Sequence, residues 1–399
     1  MLLLDLSHTS HTPARTGVQR VALELRRALR RVQPVQEITH DPHARTWRPL
    51  QTWEQAALDR PARPSKKRGA SWPLSAQLRG AWQRQFGSKA PVQGLSNDVT
   101  GVVFPEVFTT KTAAQLPILF RAIDAPKVAI FHDAIALRLP ELTPPGTVAR
   151  FPAYLEELRQ FDGIAAVSED SRQSLLDYWA WAGWRPGPEV ITLPLGCDHL
   201  IGSAPASAQT EHNSPLRVLC VGSLEGRKNH LTLINACEKL WGQGVAFELT
   251  IIGTLQRETG IAALDRIRAL QTAGRPLIYQ GWLSDEALNR AYQAADFTVY
   301  PSMMEGFGLP VWESLVHGKP CVCSQLGAVA ETAKGGGCLM TDTSDPEALA
   351  ESLSSLLSDA ALRARLTSAA QNRLPPTWRD YPQRLESWIH TLKIGPKTS

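Results

Sequence analysis

No apolar run in the 399 residues reaches the roughly 18 that a membrane-spanning helix requires. No Asp-x-Asp pair occurs, so the chain lacks the shortest carboxylate clamp for a divalent cation between phosphates, and no metal is expected. The six cysteines (Cys197, Cys220, Cys237, Cys321, Cys323 and Cys338) form no CxxC pair and no Cys/His metal spacing. They read as small reduced core residues, with Cys321 and Cys323 alternating in an apolar strand and expected on opposite sides of a sheet. The opening Met1-Leu2-Leu3-Leu4-Asp5 has no basic start, long apolar core or cleavage site, so it reads as a strand rather than a secretory leader, and a cytoplasmic protein is expected.

Hydrophobic residues make up 43% of the chain and charged residues 20%, a balance that supports packed cores and excludes disorder. The length implies two domains of about 200 residues each. The net charge of +4 hides an asymmetry, because residues 1–100 hold 16 Lys and Arg against 7 Asp and Glu, and the remainder holds 26 against 31. A basic block of this kind suits nucleic acid, a lipid headgroup or a polyanionic acceptor, and without a nucleic-acid motif no nucleic-acid partner is expected.

Short apolar strands alternate with helical stretches from residue 1 to about 196, the pattern of a parallel sheet wound with helices. Strands are expected at Leu2 to Leu6, Val99 to Phe104, Val128 to Phe131, Gly163 to Val167 and Val190 to Leu193. Val18, Val21, Ala22, Leu25 and Leu29 recur at helical spacing after Arg15-Thr16-Gly17. Periodicity is lost between about Asp41 and Asn97, where Pro61, Pro64, Pro73 and Pro91 interleave with Arg60, Arg63, Lys66, Lys67, Arg68, Arg79, Arg84 and Lys89. This stretch reads as an insertion. Trp72, Trp82 and Phe86 among its cations make 60–89 either a solvated loop or a peripheral contact with an anionic membrane. Residues 197–215 read as a linker, followed by strands at Arg217 to Val221, Phe247 to Ile252, Leu277 to Gln280, Phe297 to Tyr300 and Pro320 to Ser324.

Three segments carry chemistry. Pro301-Ser302-Met303-Met304-Glu305-Gly306-Phe307-Gly308-Leu309-Pro310-Val311-Trp312-Glu313 combines two carboxylates, a glycine turn and a helix start over Val311 to His317. Gly222 to Asn229 links a strand to a helix and sets Arg227 and Lys228 beside that helix's positive end, a field suited to a diphosphate. Phe131-His132-Asp133 puts an imidazole at a strand's carboxyl edge, where open sheets bind ligands. Read singly, Glu305 and Glu313 are surface acids and His132 a structural histidine; the strings are far more specific than their members.

These strings resemble signatures of the retaining glycosyltransferases of family 4, in which two glutamates eight positions apart flank a Gly-Phe-Gly turn. The resemblance runs from about Asp5 to Trp378, with Ser223 standing where several members carry arginine. It implies an α/β chain of GT-B architecture, with two doubly wound Rossmann-like domains facing a cleft. They are a first domain at 1–196, a nucleotide-sugar domain at 216–376 and a returning helix within 377–399, at Asp380 to Lys393.

By the same resemblance Arg227 and Lys228 hold a pyrophosphate and stabilise the leaving group. Glu305 contacts sugar hydroxyls, the N–H groups of Gly306, Phe307, Gly308 and Leu309 hold sugar and phosphate, and Glu313 clamps the ribose hydroxyls. His132 meets the transferred sugar, Gly222 and Ser223 border the phosphates, and Thr254, Trp282 and Leu283 border the base. Arg15, Thr16 and Gly17 face the acceptor. Ser168 reads as a helix cap and Glu331 as a second-domain helix residue.

The expected activity is metal-independent hexosyl transfer with retention from a GDP- or UDP-linked sugar, without a cofactor. The acceptor is a glycan or lipid-linked saccharide, and the protein sits in the cytoplasm or at the inner membrane face. Similarity of Arg15-Thr16-Gly17-Val18-Gln19-Arg20-Val21 to bacterial surface-polysaccharide mannosyl- and rhamnosyltransferases makes GDP-mannose the first choice. A nucleotide-sugar epimerase, a phosphorylase and an inactive scaffold subunit are the alternatives.

Overall fold

A computed structural model of the chain describes residues 1–13, 17–60, 69–87, 90–184, 187–198 and 215–394. Seven strands build the first sheet: β1 (Leu2–Asp5), β2 (Val35–Asp41), β3 (Thr46–Pro49), β4 (Gly101–Phe104), β5 (Lys127–Phe131), β6 (Gly163–Ala166) and β7 (Glu189–Thr192). Six more build the second: β8 (Leu216–Val221), β9 (Phe247–Ile252), β10 (Leu277–Gln280), β11 (Phe297–Tyr300), β12 (Cys321–Ser324) and β13 (Cys338–Thr341). Their orders are β3-β2-β1-β4-β5-β6-β7 and β10-β9-β8-β11-β12-β13. All neighbours are parallel except β2 and β3.

Helices cover both faces of each sheet, which is why β1, β4, β5 and β6 are buried at every position and are apolar but for Asp5 at the end of β1 and Lys127 at the start of β5. Helix Gly17–Val32 lays Val21, Ala22, Leu25 and Leu29 on β1 and β5 residues of the first core. Helix Tyr381–Ile389, shorter than expected, returns to that same core through Leu385, Trp388 and Ile389. Trp388 Nε1 also donates to Glu189 Oε1 at 3.0 Å.

The stretch expected to be aperiodic holds β3 and helices Thr52–Leu58 and Leu74–Phe86. Periodicity failed there because both sides of β3 are covered, Trp47 entering the hydrophobic core on one and polar residues filling the other. Thr46 and Arg48 are buried, and Arg48 is held by Asp41 at 3.0 Å and by Glu54 at 2.8 Å, with His11 Nε2 on Glu54 at 2.8 Å. Strands β2 and β13 went unrecognised.

Cys321 and Cys323 do not face opposite sides. They share one face and pack in a cluster with Cys338, because strand side chains alternate with a period of two. The cysteines are all free thiols. Arg15, Thr16, most of the 197–215 segment, and Arg63, Lys66, Lys67, Arg68 and Lys89 lie outside the described residues.

Candidate active site at the facing strand ends

In an open parallel sheet, ligands bind beyond the carboxyl ends of the strands, where the strand order reverses. The second sheet reverses between β8 and β11. The segment leaving β8 carries Gly222 to Asn229, and the segment leaving β11 carries Pro301 to Gly308, so the fold brings together two strings about 80 residues apart.

Glu305 Oε1 is the centre of this junction. It accepts from Lys228 Nζ at 2.6 Å and pairs with Arg227 Nη1 at 3.0 Å, and the Ser302 hydroxyl donates to it as well. Lys228 also donates to the Tyr300 hydroxyl at 2.6 Å, and Arg227 Nη2 meets Glu225 at 2.8 Å. Burial alone would push the Glu305 carboxyl up, but Arg227 and Lys228 overcome it and hold the group at about 2. Burial lowers Lys228 against the pull of Glu305, while Arg227 is raised because Glu305 and Glu225 outweigh its burial. Two cations thus share one carboxylate oxygen in a half-buried site, an arrangement that a ligand anion can join.

The glycine turn closes this site against the first sheet. A Cβ on Gly306 would lie 2.2 Å from the His132 carbonyl oxygen, so only glycine allows the two backbones to meet. Gly308 has φ +90°, the left-handed conformation that starts helix Leu309–Val316, with Pro310 in its first turn. Among the described residues, none accepts from the backbone N–H of Phe307, Gly308 or Leu309. The Phe307 ring packs against both the first-sheet core and the β12 cluster.

His132 follows β5 and is buried. Its Nε2 lies 2.7 Å from the Pro105 carbonyl, which only accepts, so Nε2 carries the proton and Nδ1 is left as an acceptor. Burial lowers its basicity despite Pro105 and Asp133, keeping the ring neutral. The buried Ser171 hydroxyl is 3.0 Å from the His132 carbonyl and 3.3 Å from the Gly306 carbonyl, bridging histidine and turn. Ser168 caps helix Glu169–Trp181 by accepting from Ser171 N at 3.1 Å. The Glu331 carboxylate reaches across to accept from Glu169 N at 3.0 Å and Asp170 N at 2.7 Å.

Glu313 is buried one helical step behind the turn, with Oε2 accepting from Tyr292 Oη at 2.7 Å and Oε1 3.6 Å from Arg20 of the first domain. Gly17 opens the helix that carries Arg20. Ser223 donates to Glu225 at 2.9 Å, and the Thr254 carbonyl accepts from Leu224 N at 2.9 Å. Leu283 packs with Leu219, Ile252 and Tyr292, whereas Trp282 is 44% exposed at the end of β10, two strands from β8. The structure therefore gathers Arg227, Lys228, Glu305, Gly306 and His132 tightly and leaves Trp282 at the rim.

Residues 206–373 match the model of the family described as glycosyl transferases group 1. The matched segment is 168 of the chain's 399 residues, and over it the chain is similar to that family. Across the matched segment and beyond it, the chain is 27% identical over 353 residues to the serotype-specific mannosyltransferase WbdA of Escherichia coli, covering 84% of this chain and 40% of that protein. It is 28% identical to the O-antigen chain mannosyltransferase B of Escherichia coli, covering 60% of this chain and 64% of that protein. The chain thus spans about two fifths of the length of the WbdA relatives it matches. Sucrose-phosphate synthase from Thermosynechococcus elongatus superposes with a TM-score of 0.66 at 18% identity, over 98% of both chains. Anabaena HepE in complex with UDP and glucose superposes with a TM-score of 0.64 at 16% identity, over 98% of this chain and 99% of that one. The fold is GT-B. No helix among the described residues is long and apolar enough to cross a membrane.

Around the matched segment, sequence reasoning passed over Tyr300, Tyr292, Ser171 and Arg20 as site residues. Tyr300 stands one residue before Pro301, Arg20 lies inside the Arg15-to-Val21 string and Ser171 follows Ser168 by three, whereas Tyr292 is nine residues before Pro301; nothing in a string says which strand end it will face.

Proposed function

We propose that the chain transfers a hexosyl group with retention from a nucleotide-sugar donor, GDP-mannose first, to a glycan or lipid-linked saccharide in surface-polysaccharide synthesis. The carrying observation is the convergence of Arg227 and Lys228 on one Glu305 oxygen at the β8/β11 reversal, beside unpaired N–H groups. The likeness to mannosyltransferases supports the choice of sugar.

In this reading the donor diphosphate enters the cation pair, and the N–H groups of Phe307, Gly308 and Leu309 take its oxygens or those of the sugar. The bond between the sugar C1 and the phosphate oxygen breaks as Arg227 and Lys228 stabilise the departing charge. The acceptor oxygen bonds to C1 on the same face, and its proton passes to the departing phosphate oxygen. Glu305 orients the sugar through its hydroxyls while keeping the cations in place. The neutral His132 Nδ1 accepts from a sugar hydroxyl, and Glu313 binds the ribose beside Tyr292. No metal-dependent step and no cofactor enters this scheme.

The test is thermal unfolding with UDP, GDP, ADP, CMP and dTDP singly, then transfer from the matching donor with the product anomer assigned by NMR. A native-state ligand at a hundredfold excess over its Kd adds about 2.7 kcal/mol. GDP is expected to raise the midpoint, and Lys228→Ala to abolish the rise. A shift with UDP alone would overturn the choice of donor. No shift with any nucleotide, together with no transfer, would overturn the enzyme reading in favour of a scaffold.

A further inference from the structure

Helix Leu74–Phe86 is docked the wrong way round for a helix that serves only its own domain. Gly80 is its one buried residue, whereas Leu74, Leu78, Trp82 and Phe86 are 76%, 71%, 62% and 67% exposed. At about 100° per residue these four form a stripe about 120° wide, and Gly80 falls about 180° from its centre. The inner side is polar and small. Gln77 Nε2 donates to the Trp72 carbonyl at 2.8 Å and Gln83 Nε2 to Gln93 Oε1 at 2.8 Å. Gly80 lies so close to the 43–44 turn that an added Cβ would be 2.7 Å from His43 Cβ. The hydrogen bonds and the glycine contact hold the helix down while its apolar stripe faces away, with the Trp82 and Phe86 rings 5.9 Å apart.

The charge around the stripe has one sign. Arg79 and Arg84 are exposed on the same helix, and no Asp or Glu occurs in the sequence between Asp59 and Asp98. On the same wheel Arg79 flanks the stripe about 80° from its centre and Arg84 lies about 140° away; an exposed aliphatic and aromatic stripe with a basic edge complements an anionic bilayer, where apolar groups enter the headgroup–acyl boundary and cations meet phosphates. The excess of basic residues in the first hundred positions turns this half of the molecule toward such a surface at long range.

We propose that helix Leu74–Phe86 is an interfacial membrane-docking element, inserting Leu74, Leu78, Trp82 and Phe86 into an anionic lipid surface while Arg79 contacts lipid phosphates and Arg84 adds long-range attraction. It holds the first domain on the membrane and does not depend on which sugar is transferred. Flotation of the full chain with phosphatidylcholine vesicles, with and without about one third phosphatidylglycerol, tests it. The wild type is expected to float with the anionic vesicles, and the combined Leu78→Gln, Trp82→Gln and Phe86→Gln variant to lose at least about tenfold in affinity. Arg79→Ser with Arg84→Ser is expected to weaken binding, and added salt to weaken the wild type in the same way. An unchanged melting midpoint and nucleotide response show that the variants are folded. Wild type that stays unbound to both vesicle types, or a triple variant that floats like wild type, overturns the proposal. So does a wild-type dimer that the triple variant converts to a monomer, since a second copy would then cover the stripe.

Discussion

Glu305 holds two roles that its substitutions can separate. Its Oε1 is the shared counter-charge of Arg227 and Lys228, so removing the carboxylate leaves two cations in a half-buried site. Glu305→Ala is therefore expected to destabilise the protein by about 3–5 kcal/mol, measured by denaturant unfolding. Glu305→Gln keeps an oxygen for Lys228 and Ser302 and is expected to stay closer to wild type in stability. Its turnover should still fall by more than about tenfold, because the neutral amide cannot hold the cations in register for a leaving diphosphate. Near-normal turnover of the Gln variant would remove Glu305 from the reaction. The alanine variant alone cannot decide the point, because its folding defect and any chemical defect arrive together.

The Gly306-Phe307-Gly308 turn joins the two sheets at the site. Its first glycine lies against the His132 carbonyl, and Ser171 ties both backbones. Gly306→Ala places a methyl where the β5 end must approach, so the clash acts between domains rather than inside the second core. The expected result is a loss of about a hundredfold in kcat/KM with nucleotide binding kept within a few-fold, measured by steady-state kinetics and a nucleotide-induced melting shift. Equal losses in both would mean that the turn serves the donor alone. Helix Leu74–Phe86 shows the opposite relation between an element and its surroundings: it is placed by polar contacts and leaves its apolar side outward.

Over the whole molecule, acid sensitivity should come from buried imidazoles before it comes from the ion-pair site. Burial drives His230 down to about 3, helped by Lys228, and His40 to about 4 against the pull of Asp41. Among the described residues neither ring nitrogen of His230 has a hydrogen-bond partner. A histidine whose folded value is depressed leaves the unfolded chain with more bound protons, so stability falls as pH drops below the ordinary value of 6.5. Glu305 contributes in a lower window, since its depressed carboxyl keeps its full effect above 4.5 and loses it only toward about 2. Asp5, which burial pushes up to about 8, gives the opposite slope in the same window, so the expected effect is a difference: between these two ordinary values the wild-type midpoint falls relative to that of His230→Leu. An unchanged slope in the variant would show that His230 is not the sensor.

How much of this was legible in the sequence depends on what fixes each feature. The doubly wound pattern and strands such as β5, β9 and β11 follow from local composition, because a strand covered by helices is mostly apolar, with only Lys127, Glu248, Thr250 and Thr298 departing from that here. The Gly222–Asn229, Phe131–Asp133 and Pro301–Glu313 strings were also readable, since each packs its residue types into one short loop. Strand β3 was not, because its polar residues are made burial-compatible by partners such as Asp41 and Glu54 on other elements. The Ser171 bridge, the Arg20–Glu313 approach and the Glu331 cap lie in the same class, with both partners ordinary in their own segments. The sequence by itself determined the central strands, though not β2, β3 or β13, and the chemical content of the loops, through short-range hydrophobic patterning and turn chemistry. The tertiary structure alone decided which loops share a strand-order reversal and which side of a helix faces outward, because those depend on contacts between residues far apart in the chain.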